Sequence, residues 1–308
     1  MQEKIDLFSQ LLRELEAEIG TRDVADMMLR ALMDSVESLK CEKLHDFCLE
    51  FEKLVEVISN TEPKFGILNY HLANLAKEIK CKDCNDGISE LKWKKMVVEK
   101  IREILNDARK QKFKLVEHSN KLKVEGKTIL IHDHSHTVQD ILLHYRKIGM
   151  HFKVVIAEQD FEKSHGNIEK MHGAGIPFQV VPSYMLSHVH EQIDMLFFGA
   201  LTLKDSMDFV MDPGTHSIIS EFHVSKKPIY MFINITKFSL WKSKKRGDIF
   251  IHKHVKCHHS KAIEYERIKY SHDRVPAELF EKIITNEGIF SPKGIKELFN
   301  KKLKEYGH

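Results

Sequence analysis

The residues best suited to chemistry are gathered in a few short stretches. His132-Asp133-His134-Ser135-His136 puts three imidazoles, a carboxylate and a hydroxyl within five residues. Alternating histidines can converge on zinc or on a pair of metals when they share one face of a strand, but a turn scatters them. The same groups also suit a loop that holds a small ligand by hydrogen bonds, or a loop whose polar groups satisfy one another. Glu158-Gln159-Asp160, Pro182-Ser183, Gly199-Ala200, Asp212-Pro213-Gly214-Thr215-His216 and Asn234 are further polar or small stretches, and most of them follow apolar runs. What they can do depends on whether those runs are strands of one sheet.

Other candidate groups carry less. Cys81-Lys-Asp-Cys84 is a single C-x-x-C, and Cys257-His258-His259 would complete a tetrahedral site only if distant parts of the chain met. Two free thiols in a loop between helices is the preferred reading, and no metal site is assigned. No Gly-x-Gly-x-x-Gly or P-loop follows the first apolar run, so dinucleotide or nucleoside-triphosphate binding has no support. Lys237, Lys242, Lys244, Lys245 and Arg246 surround Trp241. A solvated loop explains this basic run, and contact with an acidic partner or RNA is the sharper alternative.

The elements that must position these groups change in character near residue 120. Of 20 histidines only His45, His71 and His118 lie before it, and of seven prolines only Pro63 does. So few helix breakers over so long a stretch predict helices. Ile5, Phe8, Leu11, Leu12 and Leu15 form one stripe over 2–19. Thr21 can cap a second helix to about Leu39, a third runs over Leu44–Ser59, a fourth over 66–80 and a fifth from Ser89 to about 118. This half, 1–120, is expected to be a bundle of about five helices.

Beyond it, in 121–308, short apolar runs alternate with helical stretches. The runs are 128–131, 152–157, 176–181, 194–198 and 229–233. Continuous apolar runs in this rhythm predict a parallel sheet covered on both faces, and the right-handed crossover makes it a Rossmann-like doubly wound α/β sheet. The segment 235–275 reads as an insertion or long loop, and 276–304 as helix broken near Gly288–Pro292. In such a sheet ligands bind at the carboxyl ends of the strands. That edge gathers His132, Asp133, His134, Ser135, His136, Glu158, Asp212, Gly214 and Thr215 as the expected ligand-binding set. The helix start at 214–216 is expected to face the 132–136 loop and to offer N–H groups to an anion.

Composition sets the outer bounds. The chain has 308 residues, 42% hydrophobic and 30% charged, which excludes disorder, and a net charge of +3 gives no dominant nucleic-acid footprint. Five cysteines do not make a disulfide scaffold. The start Met1-Gln2-Glu3-Lys4 opens straight into a helical pattern, and no apolar stretch suits a membrane, so a cytoplasmic setting is expected.

The ordered series Ile129-Leu-Ile-His-Asp-His-Ser135, Val155-Ile-Ala-Glu158, Ala174-Gly-Ile-Pro-Phe178, Phe198-Gly-Ala200, Gly214-Thr215, Lys227-Pro-Ile-Tyr230, Lys237-Phe238 and Ile289-Phe-Ser-Pro292 resembles the translation initiation factor 2B alpha/beta/delta family. That family includes ribose-1,5-bisphosphate isomerase and methylthioribose-1-phosphate isomerase. The resemblance covers about 120–308 well, and the helical half in kind. It also brings out departures. The isomerases carry Cys where this chain has Asp133, and Asp where it has Leu201. Asp212-Pro213 stands where the family often shows Asn-Lys, and an Arg common after the strand-two Glu falls near Asp160. The resemblance therefore implies a non-catalytic regulatory subunit or homologue without a cofactor. Its implied partners are the alpha subunit of initiation factor 2 and other 2B-like subunits. It further implies a homodimer formed through the C-terminal domain, near apolar Met195–Phe198 with Ile218 and Ile219, and at most a weak sugar-phosphate or nucleotide ligand. A sugar-phosphate isomerase and a metal-dependent hydrolase built on 132–136 are the alternatives.

Overall fold

The computed structural model describes residues 2–40, 44–59, 66–79, 89–132, 135–159, 161–240, 249–258, 261–270 and 272–306. The chain divides into two compact units, 1–114 with 234–237, and 115–233 with 238–308.

The first unit is built from α1 (Gln2–Ser38), α2 (Leu44–Ser59), α3 (Gly66–Glu78) and most of α4 (Glu90–Ser119). The α1 helix is broken at Gly20, whose φ of 78° and ψ of 160° lie outside helical space. Glycine accepts that conformation readily, which is why two helical patterns meet there. Val24, Leu29, Phe51, Leu72, Val97 and Ile101 close the core. Trp93 meets Phe47 and Phe51 edge-to-face at 4.9 and 5.4 Å, an arrangement worth about 0.5–1.5 kcal/mol per pair beyond burial.

The second unit opens with β1 (Thr128–His132), α5 (His136–Lys147), β2 (Lys153–Glu158), α6 (Phe161–Gly173), β3 (Phe178–Pro182) and β4 (Met195–Gly199). Then come β5 (Thr202–Leu203), β6 (Asp208–Met211), α7 (Thr215–Val224) and β7 (Ile229–Phe232). The chain closes with β8 (Ile249–His258), β9 (Lys261–Tyr270), β10 (Asp273–Pro276), β11 (Lys282–Thr285), β12 (Gly288–Phe290) and α8 (Pro292–Tyr306). Seven strands form one sheet in the order β12-β11-β7-β4-β1-β2-β3. All pairs are parallel except β11 with β12. This is the doubly wound α/β sheet that the apolar runs predict. The strand order reverses between β1 and β4, the topological switch point.

Burial follows the pleat. Ile129, Ile131, Val154, Ile156 and Phe197 pack with Val138, Ile141, Leu142 and Tyr145 of α5. Their alternates Leu130, Val155, Leu196 and Phe198, which the pleat turns to the other face, are also buried. Met195–Phe198, Ile218 and Ile219 are therefore interior. The resemblance implies a dimer interface near them, but their own side chains are covered within the chain, because the central strand is packed on both faces and α7 turns this stripe inward.

At the amino ends of the switch strands, Asp194 acts as a brace. Its carboxylate accepts from the Thr128 amide at 2.8 Å and from Lys127 Nζ at 3.0 Å, while its own amide donates to Thr128 O at 2.9 Å. Partial burial opposes ionisation, but the Thr128 amide, Lys127 and Lys227 outweigh it and hold the carboxyl below its usual range.

Three features go beyond or against the sequence expectations. After β4 the chain builds a second sheet, in which β5 and β6 join β10 in three antiparallel strands. Leu203, Phe209 and Val275 are buried there, and Phe209 meets Phe280 edge-to-face at 5.2 Å. The stretch 235–275 is not one long loop, because β8 and β9 form an antiparallel hairpin. Finally, 276–291 holds no α-helix, only a 3₁₀ turn at Ala277–Leu279. The β-branched run in Lys282-Ile-Ile-Thr285 extends the main sheet, and only Pro292–Tyr306 is α-helix. Among the described residues no helix is long and apolar enough to cross a membrane.

Candidate functional site

The carboxyl ends of β1 and β4 flank the switch point, the edge at which open α/β sheets have their binding crevice. His132 ends β1 and is 97% buried, with 3% of its surface exposed. Its Nδ1–H donates to Ala157 O at 3.0 Å, across the β1–β2 register. That bond leaves the lone pair on Nε2, which is buried and makes no hydrogen bond of acceptable geometry. Burial pushes the His132 pKa down, against the Ala157 carbonyl, the Asp212 charge, the Pro213 carbonyl and the Gln159 amide. Burial outweighs these and favours the neutral ring.

Opposite it stands the start of α7. Gly214 has φ +89°, which favours glycine, and a Cβ there would press on the end of the Gln159 side chain at 3.0–3.2 Å. Thr215 is fully buried, and its Oγ1 also lacks a partner. Two unpartnered buried polar atoms at this edge are unusual, since buried groups are nearly always satisfied. Ser135 caps α5 by accepting from Val138 N at 3.4 Å. A Cβ on Gly199 would overlap Ser135 Oγ and sit 3.0 Å from its Cβ, so β4 and α5 meet this closely only because residue 199 is glycine.

The structure thus brings His132, Gln159, Asp212, Pro213 and Gly214 together, and Ser135 with Gly199. Glu158 ends β2 and pairs in register with Pro182, one strand further from the switch. His136 opens α5 and is half-buried. Asp133 and His134 lie outside the described residues, as do Cys81, Cys84 and the basic run 241–246. Among the described residues no three His, Cys, Asp or Glu side chains gather as a metal set.

One expectation fails. The His216 amide does not wait for an anion, because Asp273 Oδ2 accepts from it at 2.8 Å. Asp273 pairs with Met211 through β10, which carries the carboxylate to the start of α7. A carboxylate at a helix start is stabilising there, and it occupies the place of an incoming anion. The sequence reading missed it because β10 falls inside the stretch read as loop. Leu201 follows the crevice at Ala200, is half-buried, and donates its amide to Val210 O at 2.9 Å.

A helical unit joined to a doubly wound sheet with a polar crevice at its switch point is one recognisable class of α/β protein. The chain belongs to the initiation factor 2 subunit family, whose sequence model matches residues 18–292. The alpha subunit of translation initiation factor eIF2B from Dictyostelium discoideum is 26% identical over 147 residues, 47% of this chain and 46% of that protein. The delta subunit from Schizosaccharomyces pombe is 26% identical over 117 residues, 37% of this chain and 25% of that protein. The matches thus span less than half the length of these relatives. In fold, the chain is similar to the Pyrococcus horikoshii initiation factor eIF-2B (TM-score 0.67, 22% identity, 92% of this chain and 96% of that one). It is also similar to the tetrameric eIF2B beta2-delta2 complex from C. thermophilum (TM-score 0.72, 15% identity, 97% and 94%). A third similar structure is 5-methylthioribose 1-phosphate isomerase from P. horikoshii (TM-score 0.71, 17% identity, 98% and 87%).

Proposed function

We propose that this protein is a non-catalytic regulatory subunit or homologue of the initiation factor 2B type, a dimeric binding and assembly protein that contacts the alpha subunit of initiation factor 2. The observation that carries this reading is Leu201, directly after Gly199-Ala200 at the end of β4 beside the switch point. The related isomerases carry an acid there, and an aliphatic side chain cannot exchange a proton. Asp133 in place of their Cys supports the same reading. The test mixes the purified chain with the alpha subunit of initiation factor 2 and follows the complex by size-exclusion chromatography with light scattering. A homodimer that shifts to a larger complex is the expected result. Turnover of ribose-1,5-bisphosphate or methylthioribose-1-phosphate, abolished by Asp133→Ala, would overturn it.

A second reading rests on the unpartnered His132 Nε2 and Thr215 Oγ1. The crevice receives a hydroxyl-bearing ligand such as a pentose phosphate, weakly and without chemistry. The lone pair of Nε2 accepts from a sugar hydroxyl, and the carboxylates of Asp212 and Asp273 disfavour the phosphate. Calorimetric titration with ribose 5-phosphate is expected to give a weak signal that Thr215→Val and His132→Phe both remove. Unchanged binding in these variants would dismiss the crevice as the site.

A further inference from the structure

The hairpin β8–β9 plays no part in the crevice at the switch point. Among the described residues its strands pair only with each other, in ten-residue register from Ile249↔Tyr270 to His258↔Lys261. In an antiparallel ladder directly opposed residues share a face, and successive residues alternate between faces. The backbone register therefore sorts the hairpin without further information.

Charge divides unequally between the two faces. Lys256, Lys261, Arg267 and Lys269 all take register positions on one face, together with Phe250 and Tyr265. Three of the four remaining positions on that face are histidine. Both glutamates of the hairpin, Glu264 and Glu266, fall on the opposite face with Lys253. Four cations with no carboxylate in a chain of net charge +3 make this face a local departure from a near-neutral molecule. Same-face neighbours along a strand stand about 7 Å apart, at about 3.4 Å per residue. Basic positions therefore recur along an extended track instead of clustering at a point.

We propose that this face of the β8–β9 hairpin binds single-stranded RNA, with Lys256, Lys261, Arg267 and Lys269 on the phosphates and Phe250 and Tyr265 at base-stacking positions. Charge complementarity selects a polyanion, and the aromatic positions select among polyanions. Bases offer π-faces for stacking, whereas an acidic peptide or a lipid headgroup offers none. The inference goes beyond the function proposed above and does not depend on it.

The test is fluorescence anisotropy of the full chain titrated into a labelled single-stranded RNA of about 20 nucleotides, long enough for one site. With four phosphate contacts at about −0.7 each in log–log slope, affinity is expected to fall about fifty-fold between about 50 and 200 mM salt. Lys256→Gln, Arg267→Gln and Lys269→Gln are each expected to lower that slope by about 0.7. Tyr265→Ala is expected to weaken binding roughly tenfold with the slope unchanged. Lys253→Gln, on the opposite face, is the control and is expected to stay within twofold. Circular dichroism checks each variant, and the single glutamine substitutions carry the result if Tyr265→Ala disturbs the hairpin. Absence of RNA binding, a salt-independent affinity, or an equal loss in Lys253→Gln would overturn the proposal. So would polyglutamate or phosphatidylserine vesicles that compete as well as unlabelled RNA, which would give the face to a protein or a membrane.

Discussion

Among the described residues, the helical unit buries few polar groups: His71 and Thr236 as whole side chains, and the Oε1 atom of Gln111. The sheet unit buries many more, among them Ser119, His132, Gln139, Asn167 and Thr215. The physical cause lies in how each architecture handles its backbone. A helix satisfies its own N–H and C=O groups along its length, so side chains between helices need only be apolar and well shaped. A doubly wound sheet ends every strand and begins every helix at its edges, and polar side chains must be buried there to close the account. Some are paired at such an end, as Tyr145 donating to Ser119 O at 2.6 Å at the close of α4, and Gln139 Nε2 donating to Asn167 Oδ1 at 2.8 Å adds a polar pair between α5 and α6. His132 Nε2 and Thr215 Oγ1 are not paired. The lesson is that specificity has room in the sheet unit and little in the helical core.

Three measurements would break or sharpen this contrast. The largest effect is expected from Phe197→Ala. Phe197 is fully buried and meets Phe232 and Tyr230 at 4.8 and 5.8 Å. Truncation is expected to cost about 3–5 kcal/mol in denaturant unfolding. A loss under about 1 kcal/mol would mean that polar pairing, and not aromatic packing, dominates the sheet core.

Next in size is the acid response of the helical unit. Burial pushes the His71 pKa down from 6.5 to about 4. The folded ring stays neutral while the unfolded ring takes up a proton, so the unfolded state binds more protons across that interval. Stability is intact above pH 6.5 and is lost as pH falls toward 4, by about 3 kcal/mol in all at about 1.4 kcal/mol per unit. Unfolding measured from pH 7 to pH 4 is expected to show this slope, and His71→Leu is expected to remove its share. A slope untouched by that substitution would move the acid sensitivity elsewhere. The smallest effect is expected at Gly199→Ala, which displaces Ser135 and with it the bond to Val138 N. The loss is expected to be about 1–3 kcal/mol, of which Ser135→Ala alone reproduces about 1 kcal/mol. Equal stability of Gly199→Ala and the parent chain would show that the crevice yields more easily than its packing implies.

Much of this was legible in the residues, for reasons that differ by element. The runs in β1, β2, β4 and β7 are buried on both faces, so they read as unbroken apolar stretches with little competition. The α2 helix has a clear stripe and stops before Pro63. The misses share a cause as well. The β5, β6 and β10 strands are two to four residues long, too short for any period to register. The β8–β9 hairpin interleaves Lys, His and Glu with apolar residues, so its alternation hides in polar composition. Of the crevice, His132 and Gly214–Thr215 follow from the rule that parallel strands end on one edge. Asp273 could not follow from that rule, because its place depends on β10 pairing with β6 across more than sixty residues of chain.

The Asp194 brace has a consequence for timing. It fixes β1 against β4 at the amino edge, the edge opposite the switch-point site. The gap between the same two strands at the carboxyl edge is thereby set from its base. A ligand of the kind proposed above would meet a shape already made, so little ordering entropy would oppose its binding. Encounters there should resemble lock and key, with rapid capture and little rearrangement of the backbone afterwards.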